Sequence, residues 1–186
     1  MNKIANKKEP IIFLGSSRSD GDTRKAIEQV FNGKQSVLYD LNDYNISYFD
    51  YQYNNQDDDF INLAKQMMEH ETIVLATPVY WYTMSAVMKT FIDRWSDLLT
   101  IRKDLGRKLR GKNLFIISTY AVNSSDVFED IFSLTAEYLG MNYLGCFYYR
   151  QNSNVIDASE TKLEIECAQN ILFDHNVEKL EVNYAW

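Results

Sequence analysis

A segment rich in small and hydroxyl-bearing residues follows the first apolar run of the chain. It reads GSSRSDGDT at residues 15–23 and precedes a helical pattern. The donors that would suit an anion include the hydroxyls of Ser16, Ser17 and Thr23 and the guanidinium group of Arg18. These donors, together with backbone N–H groups at a helix N-terminus, would suit a phosphate. The segment contains neither GxxxxGK[ST] nor GxGxxG, so a monophosphate is favoured over a triphosphate or a dinucleotide. A purely structural alternative is a turn in which Asp22 or Thr23 caps the helix.

A second unusual segment, TPVYWYTMS at residues 77–85, places three aromatic residues in a row. Tyr80, Trp81 and Tyr82 would leave a large apolar area exposed unless a ligand or another chain covers it. A flat heteroaromatic ring could stack on Tyr80 or Trp81, while backbone N–H groups reach the ring's polar atoms. Alternatively, the three rings fold back over the helix that follows.

The elements that must position these segments are visible in the apolar pattern. Runs without polar alternation, typical of strands buried on both faces, occupy residues 10–15, 36–41, 72–78, 113–119 and 142–149. Helical patterns lie between and after them, at residues 23–31, 59–69, 85–99, 126–139 and about 157–173. This alternation predicts an α/β fold with a doubly wound parallel sheet and helices on both faces. Ligands of such sheets bind at the carboxyl ends of the strands, which here carry the loops 15–23, 77–85 and 118–126.

Composition limits the classes of function. The 186 residues suit one domain spanning residues 1–186, and 19 basic against 26 acidic residues give a net charge of −7, which argues against a nucleic-acid surface. Cys146, Cys167 and two histidines are too few and too scattered to suggest a metal site, and the cysteines are interpreted as packing or surface residues. The first apolar run has only four residues, Ile11 to Leu14, so we expect neither a signal peptide nor a membrane span but a reduced, cytoplasmic protein.

The two unusual segments together resemble the flavodoxin-like NAD(P)H-dependent FMN reductase family. GSSRSDGDT is similar to the family pattern G-S-x-R-x-x-G-N-T, and PVYWYTMSAVMKTFIDR at residues 78–94 is similar to P-V-Y-W-x-x-M-S-A-x-x-K-x-F-I-D-R. The order of strands and helices matches the family over nearly the whole chain. The resemblance implies a five-stranded flavodoxin-like sheet, FMN as the cofactor and NAD(P)H as the co-substrate.

Position by position, the resemblance also implies a set of cofactor contacts. The FMN phosphate would be held by Ser16, Arg18, Asp22 and Thr23, with Gly21 permitting the turn. The isoalloxazine ring would be lined by Pro78, Val79, Tyr80 and Trp81, with Tyr82 and Thr83 near its edge. After the fourth strand, Thr119 and Tyr120 would contact the ring or the ribityl chain, although a polar loop with Ser125 as a helix cap is the alternative. The chain departs from the family at Asp22, where the pattern has Asn.

The function implied is an oxidoreductase that transfers a hydride from NAD(P)H through the flavin to a quinone, a nitro or azo aromatic, or another flavin. No side chain need act as an acid or base, since the three loops contain no histidine and the flavin carries the chemistry. Two alternatives stay open: a flavodoxin-type one-electron carrier, and a flavodoxin-like binding module without catalysis. The sequence does not choose between NADH and NADPH.

Three further segments prompt predictions. The aromatic segment YNISYFDYQY, residues 44–53, suits the contact of a homodimer or homotetramer, or else is a loose surface excursion. The basic segment RKDLGRKLRGK, residues 102–112, has six basic residues and one acidic residue. We expect it to lie near the phosphate and aromatic loops, where it could attract the phosphates of NAD(P)H or an acidic face of a neighbouring subunit, or else be a solvated loop. Asp93 and Arg94 are expected to tie the helix after the aromatic loop to the rest of the fold.

Overall fold

The computed structural model describes residues 8–120, 126–150 and 158–173. The strands are β1 (Ile11–Leu14), β2 (Val37–Asp40), β3 (Thr72–Pro78), β4 (Asn113–Tyr120) and β5 (Asn142–Arg150). The helices are α1 (Asp22–Val30), α2 (Phe60–Met68), α3 (Ala86–Asp93), α4 (Trp95–Leu99), α5 (Lys103–Gly106), α6 (Asp126–Leu139) and α7 (Ala158–Phe173). Short 3₁₀ turns lie at Leu41–Asp43 and Arg107–Leu109.

The five strands form one parallel sheet in the order β2-β1-β3-β4-β5. The predicted α/β fold with a doubly wound parallel sheet is therefore confirmed. Strand order reverses between β1 and β3, which pair directly from Ile11 beside Ile73 to Leu14 beside Ala76. The chain leaves these two strands on opposite sides of the sheet, so a crevice opens at their carboxyl ends.

Two apolar cores explain why the strands show no polar alternation. On one face, α1 and α7 pack on residues such as Ile12 and Val74; on the other, α2, α3, α4 and α6 pack on residues such as Phe13 and Leu75. Every residue of β3 is buried. A strand covered on both faces has no solvent side, so its sequence is apolar throughout.

The predicted helix over residues 85–99 is interrupted at Arg94, which separates α3 from α4. The Arg94 side chain is only 1% exposed and donates to the carboxylates of Asp58 and Asp97. It also donates to the backbone carbonyls of Ser47 and Asn55, at 3.1 and 2.8 Å. The prediction that Arg94 anchors this helix is confirmed.

Asp93, in contrast, lies at the surface, where it pairs with Lys89 of the same helix, so the prediction that it ties the helix to the fold is wrong.

The aromatic segment 44–53 lies in a loop that Arg94 holds in place. Arg94 donates to the Ser47 carbonyl within this segment and to the Asn55 carbonyl just after it. Asp50 closes a turn inside that segment by accepting from the backbone N–H groups of Gln52 and Asn54. The segment is an ordered excursion, not a loose one.

The basic segment 102–112 is also more structured than a loop, because it contains α5 and a 3₁₀ turn with Leu105 and Leu109 buried. It lies at the amino edge of the sheet: Lys112 donates to the carbonyls of Met68 and His70, just before β3 begins. The interpretation that this segment lies near the phosphate and aromatic loops is therefore wrong.

No helix among the described residues combines the length and apolarity that crossing a bilayer requires.

Candidate functional site

The loops after β1, β3 and β4 meet at the carboxyl edge of the sheet. The Ser17 hydroxyl lies 2.7 Å from the phenol oxygen of Tyr80, which joins the first loop to the second. The Thr23 hydroxyl lies 3.0 Å from that of Thr119, which joins the first loop to the third. The backbone N–H of Val79 donates to the Thr119 carbonyl at 2.8 Å, which joins the second to the third. The three loops that the sequence places at the carboxyl ends of the strands therefore touch one another, as a shared site would require.

The first loop ends at the N-terminus of α1, where Gly21 is the residue before the helix and supplies no side-chain cap. The prediction that Asp22 or Thr23 caps this helix is therefore wrong: both are helical residues of its first turn. Because no side chain caps the turn, its N–H groups face the loop as donors for an anion. The Ser16 and Thr23 side chains are buried beside it, and the Arg18 side chain extends into solvent.

Gly21 has an extended backbone, with φ of −76°, that any residue adopts, and a Cβ placed there would meet no atom closer than 3.5 Å. The expectation that Gly21 permits the turn is therefore wrong. The glycine that packing does require is Gly15, whose Cβ would lie 2.8 Å from Met88 Cβ. The Gly15 carbonyl accepts from the Ser85 hydroxyl at 2.6 Å, and the same Ser85 oxygen caps α3 by accepting from the Met88 N–H. The first loop is thus fixed against the start of α3.

Charges around the first loop are arranged in pairs. Asp22 lies 3.0 Å from Lys25 and 4.0 Å from Arg18, so two cations offset the carboxylate that the family pattern replaces with Asn. Arg24 donates to the Ser19 carbonyl and lies 3.5 Å from Asp40. The Asp22 carboxylate is therefore not left uncompensated beside the loop.

The second loop is a tight turn of unusual composition. Tyr80 and Thr83 exchange backbone hydrogen bonds of 2.8 and 3.1 Å, and the two residues between them, Trp81 and Tyr82, have φ of 50° and 64°. Two consecutive positive φ values define a type I′ turn, in which Asn and Gly are the usual residues. The left-handed conformation costs an aromatic residue about 1–2 kcal/mol. Strain of this kind is often found at functional sites.

The side chains of this turn point outward and do not fold back over α3. Trp81 is 92% exposed and Tyr82 is 63% exposed, and the Tyr80 ring is also exposed. The alternative in which the aromatics cover the following helix is therefore excluded. Pro78 is buried as the last residue of β3, and Val79 is half-buried. An apolar turn of this kind at a sheet's carboxyl edge offers a stacking surface for a planar ring.

The two residues of the third loop that were predicted to contact the cofactor, Thr119 and Tyr120, face different neighbours. Thr119 is buried and faces Thr23. The Tyr120 ring turns toward β5, where its hydroxyl accepts from Arg150 and its ring lies 5.5 Å from that of Tyr148. Residues 121–125, including the proposed cap Ser125, lie outside the described residues.

Two residues that sequence reasoning did not identify support the site. Asn42, just after β2, donates to the Ser16 carbonyl at 2.7 Å. Its position next to the carboxyl end of a strand could have identified it from the sequence. Arg150, at the end of β5, adds a cation beside Tyr120.

Among the described residues, no three His, Cys, Asp or Glu side chains lie close enough to hold a metal ion. Desolvation raises the pKa of the Cys146 thiol, which favours its protonated form.

Comparison with known proteins bears on what this site binds. Residues 11–153 match the sequence model of the NADPH-dependent FMN reductase family. This chain belongs to that family. Membership confirms the resemblance seen in the sequence, and with it FMN as cofactor and NAD(P)H as co-substrate. The described residues fit FMN, since an uncapped helix N-terminus with hydroxyl donors and an exposed aromatic turn lie side by side.

Individual proteins are similar to this FMN reductase family member in sequence or in fold. YwqN of Bacillus subtilis, named as an NAD(P)H-dependent FMN-containing oxidoreductase, is 27% identical over 149 residues, which cover 72% of this chain and 80% of YwqN. The Trp repressor binding protein from Bacillus subtilis superposes with a TM-score of 0.68 at 22% identity, covering 88% of this chain and 97% of that one. An FMN-dependent NADH-azoreductase from Bacillus anthracis, solved with FMN, gives 0.60 at 12% identity, covering 88% and 97%. The two structures establish a shared flavodoxin-like fold.

Proposed function

We propose that this chain is an FMN-dependent NAD(P)H oxidoreductase that reduces a small planar acceptor such as a quinone or a nitro or azo aromatic. The observation that supports this most directly is the type I′ turn at Trp81 and Tyr82, whose rings are exposed at a cost in backbone strain. A one-electron carrier or a vestigial binding module has less use for an open aromatic face that a second planar molecule can occupy.

The phosphate of FMN would be bound by the first loop. Ser16 and Thr23 would donate hydroxyl hydrogen bonds, the first turn of α1 would donate N–H groups, and Arg18 would close over the phosphate from solvent. Asp22 would remain paired with Lys25 and contribute little affinity. Gly21 would be a close neighbour of the phosphate, because a residue without a side chain leaves room for it there.

The flavin ring would be bound by the second loop and the start of the third. Tyr80 and Trp81 would provide the stacking surface, Val79 and Pro78 the apolar side, and Tyr82 and Thr83 the edge. Thr119 and Tyr120 would contact the ribityl chain and the ring from β4. When bound, FMN supplies the hydride and electron chemistry, and the protein supplies position and exclusion of water.

Association and location complete the proposal. Tyr48 and Tyr51 are exposed on the ordered aromatic segment 44–53, and we propose that a second copy of the chain covers them in a homodimer or homotetramer. The protein would act as a single domain in the cytoplasm. Elution as a monomer at micromolar concentration would contradict the association.

The experiment that tests the function combines binding and turnover. The purified protein is stripped of flavin, titrated with FMN and separately with riboflavin, and then assayed for NADPH and NADH oxidation with a quinone. We expect FMN to bind far more tightly than riboflavin, and turnover to require FMN and to fall in Trp81→Ala. Absence of FMN binding, or FMN binding without any coenzyme oxidation, would contradict the proposal.

A further inference from the structure

A cavity of about 550 Å³ lies at the amino edge of the sheet, opposite the FMN site. It is bounded by α4, α5 and the C-terminal end of α6, and the basic segment 102–112 forms one of its walls. A seven-residue strand such as β3 is roughly 20 Å long, so the cavity and the carboxyl-edge loops are separated by about that distance. The cavity is therefore not part of the FMN site, although its volume lies within the range of small-molecule pockets.

The apolar part of the cavity comes from α4 and α6. Leu99 from the end of α4 and Leu139 from the end of α6 contribute aliphatic side chains, and Tyr138 contributes a ring that is 80% exposed. Gly106 brings α5 against α4, because a Cβ at this position would lie 2.1 Å from the Leu98 carbonyl oxygen. The close packing of α5 on α4 thus sets the position of this wall.

The polar part of the cavity consists of cations. Lys103, Arg107 and Arg110 line it, and none of the three forms an ion pair with any residue in the described parts of the chain. The nearby carboxylate of Asp104 is taken by Arg102, at 2.9 and 3.0 Å, and this bidentate hydrogen bonding lowers the pKa of Asp104. In a chain of net charge −7, three unneutralised cations around one cavity create a local positive potential.

We propose that this cavity binds a small organic anion that has an aromatic or aliphatic body, such as an aryl sulfonate or carboxylate. The anionic group would lie between Arg107 and Arg110, where guanidinium groups can donate paired hydrogen bonds. The body of the ligand would lie against Leu99, Leu139 and the Tyr138 ring. This site does not rest on the proposed function, because none of its residues belongs to the FMN site.

The test uses 1-naphthalenesulfonate as the probe and the FMN-saturated protein as the target, in a calorimetric titration at low ionic strength. We expect one site per chain in addition to any binding at the flavin face. Arg107→Gln should weaken binding at this site by about tenfold, since it removes a charged hydrogen bond. Tyr138→Ser should weaken it by about threefold. Neutral 2-naphthol has the aromatic ring without the anionic group, and inorganic sulfate has the anionic group without the ring. Both should bind at least tenfold more weakly than 1-naphthalenesulfonate.

Lys108→Gln is the matched control, because Lys108 lies in the same basic segment and is exposed but does not line the cavity. It should leave binding unchanged, and thermal unfolding should show that all three variants are folded. Equal losses in Arg107→Gln and Lys108→Gln would mean diffuse charge attraction and overturn the proposal. Binding that Arg107→Gln leaves intact, or no binding outside the flavin face, would also overturn it. A change in sedimentation of Arg107→Gln without loss of probe binding would mean a contact between copies, and would likewise overturn it.

Discussion

The hydroxyl of Ser17 and the phenol oxygen of Tyr80 lie 2.7 Å apart, although 63 residues separate them in the chain. This hydrogen bond connects the loop expected to hold the FMN phosphate with the turn expected to hold the flavin ring. The two halves of the site are therefore held in register before the cofactor binds, which lowers the ordering cost of binding.

The Ser17–Tyr80 contact can be measured with a double-mutant cycle. Ser17→Ala and Tyr80→Phe should each weaken FMN binding by a few fold, because the two loops lose their fixed spacing. Their coupling energy in protein stability should be about 0.5 kcal/mol, since the bond is exposed to water. Strictly additive effects on both FMN affinity and stability would mean that the bond has no role in the site.

The type I′ turn predicts that stability and function oppose each other at Tyr82. Tyr82→Gly should raise the free energy of unfolding by up to about 1 kcal/mol, because glycine adopts a positive φ without strain. The same change should weaken FMN binding, because the ring is lost. Tyr82→Ala is the matched control: it also removes the ring but keeps the strained backbone, so it should weaken FMN without stabilising the fold. Thermal unfolding and FMN titration of both variants separate the two effects.

Asp22 allows the electrostatics of the phosphate loop to be tested. Asp22→Asn should tighten FMN binding about threefold to tenfold, because it removes a like charge and releases Lys25 and Arg18 from their pairing. The gain should shrink at high salt. Riboflavin, which lacks the phosphate, should bind both proteins equally, and a matching gain for riboflavin would show that the effect does not come from the phosphate.

Arg94 should be the most sensitive charged position in the described part of the fold. Arg94→Met would leave Asp58 and Asp97 buried without their cation, at a cost of about 3–5 kcal/mol of unfolding free energy. Lys89→Met breaks an exposed ion pair on α3, next to Arg94 in the chain, and should cost less than about 0.5 kcal/mol. Denaturant unfolding of the two variants makes the comparison, and similar small losses in both would contradict the anchoring role.

The sequence predicted the sheet well because each strand is a run of apolar residues whose length and flanking turns leave little choice of structure. Four of the five helices predicted from the sequence have both ends within about two residues of the observed ones. The break at Arg94 was not predicted, because its cause is a set of long-range partners, among them Asp58 and the Ser47 carbonyl, that no local pattern reports.

The loops of the site were predicted from their composition, but their geometry was not. Nothing in the residue types of Trp81 and Tyr82 indicates a type I′ turn, since that turn normally contains Asn or Gly. The position of the basic segment was also misjudged, because residues adjacent to an aromatic loop in sequence are carried by α3 and α4 to the opposite edge of the sheet. Sequence distance is a poor measure of spatial distance across a helix that spans the sheet.

The most direct measurement of the central claim is the visible absorbance of the FMN-loaded protein when NADPH or NADH is added with oxygen excluded. Our account predicts that the yellow flavin band bleaches with at least one of the two coenzymes, and that adding a quinone restores it. A flavin band that persists with both coenzymes, in protein that dithionite still bleaches, would contradict it.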